Sequence, residues 1–217
     1  MGTVEVKNAG QAAFSAADSD VILFSDIRGF TTLSERLTPE DVVALLNPYL
    51  EAMSNVITKH GGTVDKYEGD AIVAFFGEPV HYADHAQRAL RAALDMRKEL
   101  QTLRKRWEKE GRPSQIEMGI GINSGEVFVG MVGSEQRINY TVIGDNANLA
   151  SRLQDLTKTY DWPVLISEST YQQAKEEFDA ELADSVVVKG KTAAINVYKV
   201  IGRKGVGISE QLQTWQN

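Results

Sequence analysis

Two short apolar runs, each bordered by an aspartate, constrain this chain more than any other feature. The first is Val21-Ile22-Leu23-Phe24, followed by Ser25 and Asp26; the second is Ala71-Ile72-Val73-Ala74-Phe75-Phe76, preceded by Gly69-Asp70. An apolar run this short is a buried strand or part of a buried helix, and periodicity alone does not separate the two. The flanks do. Arg28-Gly29-Phe30-Thr31-Thr32 breaks any regular pattern after the first run, and a Gly-centred turn abuts the second. The expected arrangement is two neighbouring central strands, each delivering one carboxylate to the same edge. An Asp near a strand end is by default a turn or cap residue. Two at adjoining strand ends make a hard-oxygen site suited to one or two Mg²⁺ ions.

The remaining pattern is that of one domain. The 217 residues are 42% hydrophobic, enough for a well-filled core. Residues 1–19 show no usable period and are expected to be a flexible leader, residues 20–201 the domain, and residues 202–217 a loose tail. Thr38-Pro39-Glu40-Asp41 reads as a helix start, with Thr38 as cap and Pro39 at the first helical position. Its apolar face runs from Val42 to Ile57, with Pro48 inside. A hairpin over 62–76 and a long amphipathic helix over 82–107 follow. Ile116, Met118, Ile120 and Ile122 then alternate with Glu117, Gly119, Gly121 and Asn123. The two glycines predict a close approach by a helix or a partner on that face. Asn123-Ser124-Gly125-Glu126 reads as a turn into a strand over 127–132, and residues 133–140 as a polar connection. A helix over 145–159, a strand over 164–166, a helix capped by Ser167 and a hairpin built from 186–188 and 195–200 complete the chain. The expected fold is α+β: a ferredoxin-like βαββαβ core whose antiparallel or mixed sheet carries helices on one face, extended by a C-terminal helix and β-hairpin.

Charge and composition exclude several functions. A net charge of −7 disfavours a general nucleic-acid or anionic-membrane binder, while leaving room for a nucleotide site with local cations. The chain has no cysteine, which excludes disulfides and thiolate metal sites and fits a reducing, cytoplasmic compartment. No stretch approaches the ~20 apolar residues of a membrane span. His81 and His85 have helical spacing, but no third ligand accompanies them and a solvated helix start explains them. Asn148 and Arg152, one turn apart and flanked by Ala147, Leu149, Ala150 and Leu153, read as a presented polar pair beside an apolar face.

Three segments, LFSDIRGFT at 23–31, DKYEGDAIVAFF at 65–76 and YTVIGDNANLASRL at 140–153, occur in the order that resembles class III nucleotidyl cyclases, in particular their Thr-bearing adenylyl branch. The resemblance spans residues 20–200. It implies the same α+β fold and an adenylyl cyclase that converts ATP to 3′,5′-cyclic AMP and pyrophosphate with two Mg²⁺ ions per site, Mn²⁺ being able to substitute. On this resemblance Asp26, Asp70 and the carbonyl of Ile27 hold metal; Asn148 orients the ribose; and Arg152 stabilises charge on the phosphate. Lys66 and Thr141 read the base, the Arg28-Gly29-Phe30-Thr31 loop holds phosphate oxygens, and Lys191 or Lys189, with Lys191 favoured, contacts the triphosphate. Adenine presents an acceptor at N1 and a donor at its exocyclic amine, which suits a lysine and a hydroxyl. Guanylyl members typically carry Glu at the position of Lys66. The resemblance further implies a homodimer with two shared sites, and a catalytic unit attached to sensor domains. The competing readings are a guanylyl cyclase and an inactive nucleotide-sensing or dimerisation module; none of Asp26, Asp70, Asn148 and Arg152 is missing, as the latter would require.

Overall fold

The computed structural model describes residues 14–134, 136–187 and 194–206. Its first strand, β1 (Phe14–Ile27), is followed by α1 (Phe30–Ser34) and α2 (Pro39–Lys59), then by β2 (Thr63–Glu68), β3 (Ala71–Phe76), α3 (His85–Lys109) and β4 (Met118–Ser134). These elements form the expected βαββαβ unit, with strands in the order β2-β3-β1-β4, all antiparallel neighbours. The second half adds β5 (Arg137–Ile143), α4 (Asp145–Thr159), β6 (Val164–Ser167), α5 (Glu168–Ala174), β7 (Phe178–Val186) and β8 (Ile195–Arg203). The sheet continues as β4-β6-β8-β7, with β6 parallel to β4, so the sheet is mixed.

Local chemistry accounts for several boundaries. Thr38 caps α2 by accepting from the backbone N–H of Asp41 at 3.2 Å, and Pro39 occupies the first turn. The helix continues through Pro48 to Lys59. Leu45, Tyr49, Met53 and Ile57 line its buried stripe and pack with Leu90, Ala93, Met96, Leu100 and Trp107 of α3. Both helices lie on the sheet face formed by Val21, Leu23, Ile72, Ala74, Met118, Ile120 and Ile122.

Five expectations are corrected. Strand β1 begins at Phe14, inside the segment expected to be a leader, because Phe14–Ala17 pair with Val127–Gly130 before a register shift at 17–20. Asn123-Ser124-Gly125-Glu126 is not a turn: β4 runs straight through it, since β1 pairs with β4 continuously from Asp20↔Gly125 to Ile27↔Met118. Residues 137–140 belong to β5, the partner of β4 in a hairpin, and β7 occupies residues 178–186, whose polarity hid a surface strand. Helices cover both faces of the sheet. Helix α4 packs on the face opposite α2 and α3, where an added Cβ at Gly121 would lie 2.2 Å from the backbone N of Gln154 and 2.3 Å from the carbonyl O of Ala150. An added Cβ at Gly119 would meet Thr157 Oγ1 at 2.1 Å. The alternation in β4 thus sends isoleucines to one layer and glycines to the other, and the close approach read from those glycines is made by α4.

Asp20 is fully buried in β1, and neither of its carboxylate oxygens has a hydrogen-bond partner. Gly77 leaves the space it occupies. Burial, with the charge of Glu78 adding to it, pushes the Asp20 carboxyl up to about 7. A raised carboxylate pKa means that the native state binds the extra proton between the ordinary carboxylate range and about pH 7, so this contribution to stability is lost as pH rises through that window. Denaturant midpoints measured from pH 5 to pH 8 should fall with rising pH, and Asp20→Asn should flatten the slope. Independently, Gly121→Ala should cost about 1–3 kcal/mol in equilibrium unfolding, because the helix backbone itself must retreat.

Candidate active site

At one end of the β1–β4 pairing, Asp26 closes β1 opposite Gly119, and Asp70 stands in the β2–β3 turn after Gly69, whose φ of +66° suits glycine. The backbone N–H of Ile27 donates to Asp70 Oδ2 at 3.1 Å, which draws the turn against the end of β1. Burial and the adjacent Asp26 carboxylate push the Asp70 carboxyl up to about 7. Lys158 of α4 brings its Nζ to 3.7 Å from Asp26 Oδ2, with its side chain half exposed. Two crowded carboxylates beside the main chain of Ile27 form an oxygen donor set that a hard divalent cation fits and a proton otherwise neutralises. No group of three or more His, Cys, Asp or Glu side chains suited to a metal exists among the described residues. Further ligands at Asp26 and Asp70 would therefore be main-chain, water or substrate oxygens.

The side chains of the loop after β1 are engaged with the protein itself. The guanidinium of Arg28 turns back to the end of α4, donating to the carbonyl of Thr157 at 2.9 Å and to Asp161 at 3.1 Å, with Glu117 at 3.6 Å. Phe30 packs against the core beneath α2. Gly29 takes φ +69° at the start of α1, and the carbonyl of Thr31 accepts from Ser34. What this loop offers a phosphate is its backbone N–H groups, the first turn of α1 leaving them without intrahelical acceptors.

The two residues expected to read the base, Lys66 and Thr141, meet within one chain. Lys66 Nζ donates to Thr141 Oγ1 at 3.3 Å, joining β2 to β5 across 75 residues of sequence. Asp65, not anticipated as a site residue, sits between them: Thr141 Oγ1 donates to Asp65 Oδ2 at 3.0 Å, and Lys66 Nζ lies 3.5 Å from the same oxygen. Strand alternation places consecutive residues on opposite faces. Here the β2–β3 register shifts between Val64 and Lys66, so the bulge brings Asp65 and Lys66 to the same neighbour. Nothing in the local sequence announces that bulge. Asp65 and Lys66 line an open cleft of about 440 Å³ with Phe24, Val142, Asp145 and Asn148.

Helix α4 carries the other two predicted residues. Its start is held to β4 by Asn146, whose side-chain amide donates to the carbonyl of Glu126 at 2.8 Å and whose own carbonyl accepts from Asn123 at 3.0 Å. Asn148 is exposed in the cleft and Arg152 is half-buried one turn later. From Asn148 to Lys158, the residue that reaches Asp26, is about 15 Å along the helix axis. The acidic pair and the base-reading pair thus occupy opposite ends of the α4 face of one chain. Lys189 and Lys191 lie outside the described residues. The solvated helix start expected for His81 and His85 holds for His81 only: His85 is buried, its Nδ1 against the carbonyl of Tyr82, with the two rings 5.8 Å apart.

Comparison with known proteins agrees with this geometry. Residues 14–202 match the family model described as the adenylate and guanylate cyclase catalytic domain. A curated adenylate cyclase of Anabaena cylindrica is 44% identical over 183 residues, covering 82% of this chain and 36% of the relative, so the chain spans about a third of that protein. The crystal structure of the adenylyl cyclase CyaB from P. aeruginosa superposes with a TM-score of 0.81 at 36% identity, covering 91% of this chain and all of that one. A guanylyl cyclase crystal structure is equally similar in fold, with a TM-score of 0.80 at 38% identity over 87% of this chain and 94% of that chain. Structural likeness alone thus does not separate the two kinds of enzyme, whereas the curated relatives of Rhizobium meliloti, Anabaena cylindrica and Dictyostelium discoideum are all adenylate cyclases. By its sequence match, its sheet and the residues gathered at its two ends, this chain belongs to the class III adenylate and guanylate cyclase catalytic domain family.

Proposed function

We propose that this domain is an adenylyl cyclase, converting ATP to 3′,5′-cyclic AMP and pyrophosphate. The observation that carries the reading is the contact of Lys66 with Thr141, which presents an ammonium donor beside a hydroxyl oxygen at the mouth of the cleft. Adenine's N1 accepts from the one and its exocyclic amine donates to the other; guanine offers the reverse pattern on the same edge.

The reaction needs the ribose 3′-oxygen placed in line with the α-phosphorus; the new P–O bond forms as the bond to the β-phosphate oxygen breaks, and the 3′-hydroxyl loses its proton. Asp26 and Asp70 would hold Mg²⁺, with the Ile27 carbonyl as a further ligand. Bound Mg²⁺ supplies charge neutralisation on the triphosphate and acidifies the sugar hydroxyl. Asn148 directs the ribose, and Arg152 supplies a fixed positive charge where negative charge accumulates on the phosphate. Lys191 or Lys189 and the N–H groups at Gly29, Phe30 and Thr31 would take the outer phosphates. Arg28 serves that loop by fixing it to α4. Positioning and charge do most of the work of phosphoryl transfer.

A second copy of the chain completes the site in this reading. The β4–β5 hairpin exposes Phe128, Met131, Ile138 and Ile143, an apolar arm suited to covering by a partner. A two-fold dimer would place the acidic pair of one protomer opposite Lys66, Thr141, Asn148 and Arg152 of the other, twice. No helix among the described residues is long and apolar enough to cross a membrane. The ATP requirement and the absence of cysteine point to a cytoplasmic domain, which we place within a longer sensor protein.

With Mg²⁺ and equal nucleotide, purified protein should release pyrophosphate and cyclic AMP from ATP and much less cyclic product from GTP; equal turnover would refute the base assignment. Asp26→Asn should lower kcat by about 10²–10³-fold with the fold retained. Asp26→Ala and Arg152→Ala chains should each be nearly inactive alone, while an equimolar mixture should regain about a quarter of the native rate, from one intact site in each mixed dimer. Mixed dimers that stay inactive would defeat the shared site.

A further inference from the structure

We infer that Asp65 determines the choice of ATP over GTP, acting as a positioning residue through the Thr141 hydroxyl; this rests on the adenylyl cyclase reading. A threonine hydroxyl can donate or accept, so by itself it greets the adenine amine and the guanine carbonyl equally well. In this chain it is not free to choose. Its Oγ1 lies 3.0 Å from Asp65 Oδ2, and a carboxylate only accepts, so the hydroxyl proton is directed at Asp65. The lone pairs of Oγ1 are what remain. One faces Lys66 Nζ at 3.3 Å and the other is open to the base. The Asp65 side chain is 2% exposed, so water does not compete for its oxygens, and the same Oδ2 lies 3.5 Å from Lys66 Nζ.

The consequence is a fixed pattern: an ammonium that only donates beside a hydroxyl oxygen that only accepts. Adenine satisfies both. Guanine sets its N1–H against the ammonium and its O6 against the oxygen lone pairs, leaving two mismatched contacts. Discrimination of this kind, where the wrong ligand strands polar groups, is larger than shape alone provides. The β2 bulge is what makes the relay possible, because regular alternation would turn Asp65 away from Thr141.

The test is the ratio of kcat/KM for ATP to that for GTP. In Asp65→Asn the amide can donate to Thr141 Oγ1, the hydroxyl turns outward, and guanine O6 gains a donor. The ratio should fall by about tenfold or more, with the change in KM for the two nucleotides in opposite directions. In a Thr141→Val background the same Asp65→Asn change should leave the ratio within about twofold, since the relay is already cut. Asp65→Ala, which removes the acceptor without supplying a donor and frees the Thr141 hydroxyl to point either way, should also lower the ratio, which preserves the test if Asp65→Asn does not fold. An unchanged ratio in Asp65→Asn, an equal loss toward both nucleotides, or an undiminished effect in the Thr141→Val background would overturn the inference. If the native protein cyclises neither nucleotide, it is the adenylyl cyclase reading that fails. If it cyclises ATP selectively and the ratio ignores Asp65, only the relay fails.

Discussion

The approach of α4 to β4 at Gly121 is the contact on which the rest depends. A backbone-to-backbone approach this close is open only to glycine, and it fixes the height of the helix over the sheet. From that height follow the reach of Lys158 to Asp26, the exposure of Asn148 in the cleft and the half-buried setting of Arg152. Gly119 and Gly125 extend the same track, facing Thr157 and Asn146 at the two ends of the helix. The three glycines therefore set the helix axis as well as its distance.

Around that axis the sheet divides the labour. The α2/α3 layer fills the core behind Asp26 and Asp70. The α4 face is where polar groups cluster, and each is tied by a named partner: Asp70 to the N–H of Ile27, Arg28 to the end of α4, Asn146 to β4, Thr141 to Asp65. Such ties lower the reorganisation left to substrate binding, which is how positioned groups become effective in charge-driven chemistry.

Much of this was legible in the sequence, for physical reasons. Asp26 and Asp70 were readable because apolar runs that end abruptly must surface, and two such ends imply one edge. Thr38 and Pro39 marked α2 through capping chemistry, and the glycines in β4 announced a close neighbour without naming it. What escaped notice depends on pairing and not on local preference. Asn123-Ser124-Gly125 has the composition of a turn, yet pairing with β1 holds it extended. Strand β7 is polar because it lies at the sheet edge with little to bury. The anchoring of Arg28 to the carbonyl of Thr157 has no local sequence signal, and Asp65 could be placed beside Thr141 only once the bulge was seen.

One topological detail has a mechanical meaning. Strand β4 is antiparallel to β5 along residues 128–134 and parallel to β6 along residues 120–122, and α4 is the segment that connects those two neighbours. The helix is thereby anchored fore and aft to a single rail. Swinging outward like a gate would peel one of the two ladders from β4, whereas gliding lengthwise by a fraction of a turn leaves both intact. Any movement of α4 over the sheet is accordingly constrained to a shear, which would carry Asn148 and Arg152 together.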